Sequence, residues 1–269
     1  MAFDLRVVES GIAGTQFAGQ VTNLPSVGST NTIALEAAQA GARSGVWVAD
    51  EQTAGRGRGG HGWHSAIGDG LYVSALVAPS LPLASALLIS LATGLAVKRA
   101  ISEITSLEAD IRWPNDLLLH GKKCGGILVE TAVSPAHTGA GAMLRYAVIG
   151  MGINLNYQSF PEEIAQLATS LRREAGNPVS REMTLVSLLR ALEDEINLLR
   201  EEDANRASTE ELLERFAEAS SWVRGKRVRV DEGGGYTGVT AGLNDSGFLL
   251  VDSDDGKKRT VLSGGVREE

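Results

Sequence analysis

Gly55-Arg56-Gly57-Arg58-Gly59-Gly60-His61-Gly62-Trp63-His64 places five glycines in the eight positions from 55 to 62. Glycine clears side chains from the path of a ligand and tolerates positive φ, so backbone N–H groups can close on an anion. The two arginines bring permanent planar forks matched to phosphate or carboxylate. Trp63 ends the run with a flat face for a base or another ring. Such a loop wraps an anion and is mobile until one arrives. Gly55, Gly57 and Gly60 formally spell G-x-G-x-x-G, but the dinucleotide fingerprint needs a helix opening at its third glycine. Here His61-Gly62-Trp63-His64-Ser65 follows, which starts no helix, and no Gly-Lys-Ser/Thr closes a Walker loop. A plain surface loop is the bland alternative; the paired arginines and the tryptophan weigh against it.

Around this loop, the 269 residues suffice for one large domain, or one domain and a small module. Apolar residues make up 43% of the chain, enough for a sizeable core. No apolar run is expected to span a bilayer, and the charged first nine residues do not read as a secretory signal. The single cysteine, Cys124, excludes an internal disulfide and fits a reducing cytoplasm. A net charge of −8 argues against a general nucleic-acid-binding surface. A basic loop in an acidic chain suits a small anion better.

Hydrophobic periodicity predicts strands over 17–27, 45–49, 71–77 and 144–151, with 117–120 and 126–133 paired around a Gly121-Lys122 turn. It predicts helices from Ser29, as N-cap, to about Gly41, and over 83–104 and 185–200. A further helix is expected over 212–222, opened by a capping box of Ser208 and Glu211. A small-residue loop is expected over 134–142. From Gly225, short strands alternate with turns, as in a small β-barrel, which puts a boundary near 222–225.

Three further constellations carry chemistry. In Trp113-Pro114-Asn115-Asp116, Asp116 can serve a divalent cation or a ribose and Asn115 a base edge, or both can order a turn. Lys123 follows beside Gly125 and Gly126, which leave room for a ligand; a solvated hairpin lysine is the plain reading. Gly150-Met151-Gly152-Ile153-Asn154 is a strand end open to close backbone approach, or a bulge. Ser29-Thr30-Asn31 and Gln52 offer hydroxyls and amides, or simple capping. His61 and His64 lack the further ligands of a zinc site.

Taken together, these segments resemble the biotin–protein ligases. The match runs through Ser29-Thr30-Asn31, Gln52-Thr53-Ala54-Gly55-Arg56-Gly57-Arg58, Arg112-Trp113-Pro114-Asn115-Asp116-Leu117, Lys123 with Gly126-Ile127-Leu128-Val129-Glu130, and Gly150-Met151-Gly152-Ile153-Asn154. Each motif is weak alone; five in family order are specific. The resemblance implies an α+β fold over 1–222, a mixed, largely antiparallel central sheet with helices on one face, followed by a small SH3-like β-barrel over 223–269. It also implies activation of biotin by ATP to biotinyl-5′-AMP, then transfer to one lysine of a biotin carboxyl carrier domain of a biotin-dependent carboxylase.

By the same resemblance, Ser29, Thr30, Asn31, Gln52, Gly55, Arg56, Gly57, Arg58, Lys123 and Gly126 hold biotin. Arg56, Arg58, Trp63, Asn115, Asp116 and Asn154 face ATP and the adenylate. Lys123, Arg56 and Arg58 stabilise the charge that develops, and Asp116 aids the Mg2+ that arrives with ATP. The resemblance allows a weak homodimer and implies neither a nucleic-acid nor a membrane partner. Only 28 residues precede Ser29, fewer than the roughly 60 of a DNA-binding winged helix. The family's loop reads Gly-Arg-Gly-Arg-Arg-Gly-Arg-x-Trp, so Gly59 and His61 stand here where two cations are usual. Arg112 replaces a usual lysine. The rivals are a lipoyl- or octanoyl-protein ligase and a non-catalytic biotin- or adenylate-binding regulator. The polar Gln52 and Ser29 favour a ureido ring over an acyl chain, and the intact Arg56, Arg58, Asp116 and Lys123 favour an enzyme.

Overall fold

The computed structural model describes residues 3–134, 141–200, 205–263 and 265–269. Its larger sheet is built from β1 (Val21–Leu24), β2 (Gly45–Ala49), β3 (Gly70–Val77), β4 (Asp110–Arg112), β5 (Asp116–Leu119), β6 (Lys122–Val133) and β7 (Leu144–Asn154). They lie in the order β1-β2-β3-β7-β6-β5-β4. β1 and β2 run parallel; the other neighbours are antiparallel.

The alternation of side chains along each strand gives this sheet two different faces. In β3, Leu71, Val73, Ala75 and Val77 enter the main core, while Leu76 joins a smaller cluster on the opposite face. The main core is shared with α1 (Leu5–Gly11), α3 (Ala86–Thr105), α5 (Arg181–Arg200) and α6 (Asn205–Ala219). On the other face, α2 (Thr30–Gln39) packs Ala34 and Ala38 on Leu76, Tyr146 and Val148. α2 covers only part of that face, and the uncovered part is where the glycine–arginine loop lies. α4 (Leu171–Ala175) is a single short turn of helix.

Several expectations need correction. By length and composition, residues 83–105 are apolar enough to cross a membrane, contrary to the sequence reading, but 67% of the window is buried as core. The strand expected over 17–27 shortens to Val21–Leu24, because Phe17 is buried in a turn before it. α6 begins at Asn205, so Ser208 and Glu211 lie inside a helix and cannot form its capping box. α1 and α4 escaped the periodicity reading because neither is long enough to show a repeat. Of the expected 134–142 loop, residues 135–140 lie outside the described residues.

The C-terminal unit contains β8 (Arg224–Val230), β9 (Tyr236–Leu243), β10 (Leu249–Ser253), β11 (Lys258–Val261) and β12 (Val266–Glu268). They form a five-stranded antiparallel sheet in the order β11-β10-β9-β8-β12. Val228, Val230, Leu249, Val251 and Val261 fill its buried side. A polar bond and a tight apolar contact fasten this sheet to the larger one. Trp113 Nε1 donates to the Gly247 carbonyl at 2.9 Å. Gly247, at φ +83°, sits so close to α3 that an added Cβ would stand 2.8 Å from Leu91.

Candidate active site

The cleft is built by strand register. Gly126 of β6 lies opposite Gly152 of β7, and Leu128 lies opposite Gly150. These positions share the face on which Ser74 of β3 meets α2. Gly126 and Gly152 leave a strip of sheet with no side chains, and the Trp63 indole lies against it. A Cβ at Gly126 would stand 3.0 Å from that ring, and one at Gly152 only 2.5 Å. Gly150 is bare for a different reason: a Cβ there would meet Asn31 Oδ1 at 2.2 Å.

Over this floor a cavity of about 40 Å3 is lined by Ser29, Thr30, Asn31, Gln52, Arg56, Gly57, Arg58, Trp63, Asn115, Lys123 and Gly126. It shares Arg58, Trp63, Asn115 and Lys123 with a larger cleft of about 740 Å3, which Asp116 and Asn154 also line. The far wall of the larger cleft is Ser263, Gly265, Val266 and Arg267 of the C-terminal sheet. Gly55 lines neither space. Its carbonyl accepts from Trp63 N at 2.9 Å, and a Cβ would strike the Trp63 carbonyl at 2.5 Å, so it pins the base of the loop.

Ser29 holds the N-cap position of α2, as expected, but its side chain does not do the capping. Ser29 makes no side-chain cap bond; instead Gln52 Oε1 accepts from Thr30 N at 2.9 Å and Thr30 Oγ1 at 3.1 Å. Gln52 Nε2 donates to Ser65 Oγ at 3.1 Å. With the Thr30 N–H taken by Gln52, the Ser29 hydroxyl has no partner within the chain among the described residues and faces the cavity. Thr30 and Asn31 are held from below by Ser74, whose hydroxyl donates to Asn31 Oδ1 at 2.5 Å and stands 2.8 Å from Thr30 Oγ1. Ser74→Ala leaves these buried acceptors unmatched and is expected to destabilise the fold by about 1–3 kcal/mol. The check is urea unfolding of variant and parent.

The cations differ in how tightly they are held. Arg56 Nη2 pairs with Glu130 Oε2 at 2.8 Å. The Arg58 side chain makes no hydrogen bond or ion pair among the described residues. Burial pulls its guanidinium below the ordinary arginine value, while Asp116 and Glu232 pull it back up. A partly desolvated cation without a fixed partner is suited to an incoming anion. Lys123 Nζ lies 2.5 Å from Asp116 Oδ1, an ion pair whose angle falls short of a hydrogen bond, and 5.3 Å from the Trp63 ring centre. Arg112 takes the other Asp116 oxygen at 2.5 Å.

Asp116 was expected to aid Mg2+, but both of its oxygens face cations. Among the described residues no three His, Cys, Asp or Glu side chains gather as metal ligands. The described residues thus offer no metal site of their own, and Asp116 pairs here with Lys123 and Arg112. The amide nitrogens of Asn115 and Asn154 are spent on the backbone, at Ile127 O (3.0 Å) and Thr169 O (3.0 Å). Both hold the walls of the cleft in place.

Gly150 and Gly152, expected as a strand end open to close approach, form the floor of this site, while Ser74 and Glu130 belong to it although sequence reasoning gave neither a role there. A lone hydroxyl in Leu71-Tyr72-Val73-Ser74-Ala75-Leu76 and a lone charge in Ile127-Leu128-Val129-Glu130 were the available signals. Behind the loop, Tyr72 and Tyr157 share a 2.5 Å O–H···O contact and bond the 64–66 backbone. Burial, then the bond to Tyr157, pushes the Tyr72 phenol well above its usual range, so the brace stays protonated and uncharged.

With this geometry in hand, known proteins were compared. Residues 24–154 match the Biotin/lipoate A/B protein ligase family, and residues 224–266 match the Biotin protein ligase C terminal domain. The chain is 35% identical over 235 residues to the Bifunctional ligase/repressor BirA of Bacillus subtilis, covering 86% of this chain and 69% of that protein. It is 32% identical over 254 residues to the Biotin--[acetyl-CoA-carboxylase] ligase of Mycobacterium tuberculosis, covering 91% and 87%. Among solved structures, the Aquifex aeolicus biotin protein ligase in complex with biotin and ATP superposes with a TM-score of 0.76 at 29% identity, covering 93% and 100%.

Proposed function

The chain belongs to the biotin/lipoate protein ligase family, and from that premise we propose that it activates biotin with ATP and passes it to a carrier-domain lysine. The observation that carries this reading is the convergence of Ser29, Gln52, Arg56, Arg58, Trp63 and Lys123 on one cleft above a floor of glycines. In the first step a carboxylate oxygen of biotin attacks the α-phosphorus of ATP and pyrophosphate leaves. In the second, a lysine amine of a biotin carboxyl carrier domain attacks the mixed anhydride's carbonyl carbon, loses a proton, and AMP leaves.

Two anions meet in the first step, so fixed positive charge must offset their repulsion. Arg56, Arg58 and Lys123 supply it. Ser29, Thr30, Asn31, Gln52 and Gly126 hold biotin in the smaller cavity. Trp63, Asn115, Asp116 and Asn154 border the nucleotide in the larger one. Mg2+ accompanies the triphosphate as part of that substrate. Lys123, released from Asp116, neutralises the anhydride oxygens; Asp116 holds it ready until then. A loop closed over the adenylate keeps water from the anhydride.

We assign catalysis to residues 1–222 and the second wall of the cleft to 223–269. The acidic balance supports a protein with no role as a DNA-binding repressor, and the single cysteine supports a place in the cytoplasm. Incubation with ATP, Mg2+ and either biotin or lipoate, followed by pyrophosphate release, tests the reading; release with lipoate but not biotin overturns it. Arg58→Gly is expected to let the adenylate escape, raising biotin labelling of bystander lysines at least about tenfold, the factor for losing ~1.4 kcal/mol of retention. Streptavidin blots of a mixed-protein reaction measure this, and clean bystanders remove Arg58 from retention.

A further inference from the structure

Glu130 stands on the cleft face of β6, and a single carboxylate oxygen joins two parts of the site. Its Oε2 accepts from Asn31 Nδ2 at 2.9 Å and from Arg56 Nη2 at 2.8 Å. The first donor is the buried head of α2, under the biotin cavity; the second is the start of the glycine–arginine loop. From Asn31 the bonding continues through Ser74, Thr30 and Gln52 to Ser65. Ser65 Oγ then donates to the Trp63 carbonyl at 3.2 Å. The loop is thus tied at both ends to one chain of hydrogen bonds running beneath the cavity it covers.

We propose that Glu130 is a positioning residue for the loop: it holds Arg56 at the cavity wall and yields it to the phosphate of the adenylate. The inference rests on the reading that phosphate comes to Arg56. The side chains of Arg56 and Glu130 are 44% and 29% exposed, so water screens their attraction and the pair is exchangeable. A phosphate offers more charge and more acceptor atoms to the same guanidinium in a closing site. When Arg56 leaves, the Asn31 N–H still holds the Glu130 carboxylate on β6, which keeps α2 in register with the cavity. A surface ion pair with no such role would lack that second bond to a buried residue.

The test uses the full chain without ligand. Trypsin cleaves after arginine, and Arg56 and Arg58 both lie in the loop. Glu130→Gln keeps the shape and the Asn31 bond but removes the charge. Cleavage at 56–57 and 58–59 is expected to rise about fivefold, because proteolysis follows the population of the open form. Release of biotinyl-adenylate without carrier is expected to rise by a similar factor. Arg56→Gln should raise cleavage at 58–59 as much, and the double variant no further.

Cleavage of Glu130→Gln within about twofold of wild type overturns the proposal, as does simple additivity in the double variant. If Glu130→Gln melts at a lower temperature than the parent, Arg56→Gln alone decides: unchanged cleavage at 58–59 is the overturning result. Wild-type protein inert toward biotin would fail the functional reading, while the proteolysis would still decide whether Glu130 holds the loop.

Discussion

Lys123→Ala is expected to slow adenylate formation roughly 10^2- to 10^3-fold, the range for removing one preorganised charge from a reacting oxygen. Lys123 is one of three cations lining the small cavity, and it belongs to a strand, whereas Arg56 and Arg58 belong to the loop. Its backbone is fixed on both sides, by Lys123 N to Leu167 O at 2.8 Å and Thr169 N to Lys123 O at 3.0 Å. The charge therefore stands in place before substrates arrive and requires no loop closure. Removing it leaves Asp116 paired with Arg112, so the fold should survive. Pyrophosphate release at saturating biotin and ATP is the measurement; a rate within about threefold of wild type would take Lys123 out of the chemistry.

Gly152→Val carries the second large expected effect, about 100-fold weaker biotin binding, or ~3 kcal/mol at the upper end of overpacking costs. The first added carbon already falls 2.5 Å from the Trp63 indole, and the valine methyls would fill the strip between Gly126 and the loop. Trp63 can swing out, so the empty protein should fold; the bicyclic ring has nowhere else to go. Titration calorimetry with biotin, with Gly152→Ala as the milder step, measures the loss. Undiminished binding would place biotin elsewhere.

What could be read from the chain was what lies close together in it. Gly55 to Trp63, Arg112 to Asp116 and Gly150 to Asn154 declare themselves because each motif concentrates its chemistry within a few residues, and the long apolar helix α3 shows its period openly. What escaped depends on pairing across the fold. Gln52 satisfying Thr30, Ser74 under Asn31 and Glu130 against Arg56 each join residues from separate elements. A capping rule read Ser29 as the helix cap, because nothing local signals that a glutamine 22 positions away takes the Thr30 N–H. The pairing of Asp116 with two cations was hidden as well, because Arg112 and Lys123 flank it only when β4, β5 and β6 align.

The fastening of Trp113 to Gly247, 134 positions apart, sets an order of events during synthesis. The glycine–arginine loop leaves the ribosome long before the strands that form the opposite wall of its cleft. Until β9, β10 and β12 have been made and docked, the indole N–H of Trp113 lacks its acceptor, and Leu88 and Leu91 lack the covering Gly247 provides. A chain that stops short of these strands also lacks Ser263, Gly265, Val266 and Arg267, one whole wall of the larger cleft.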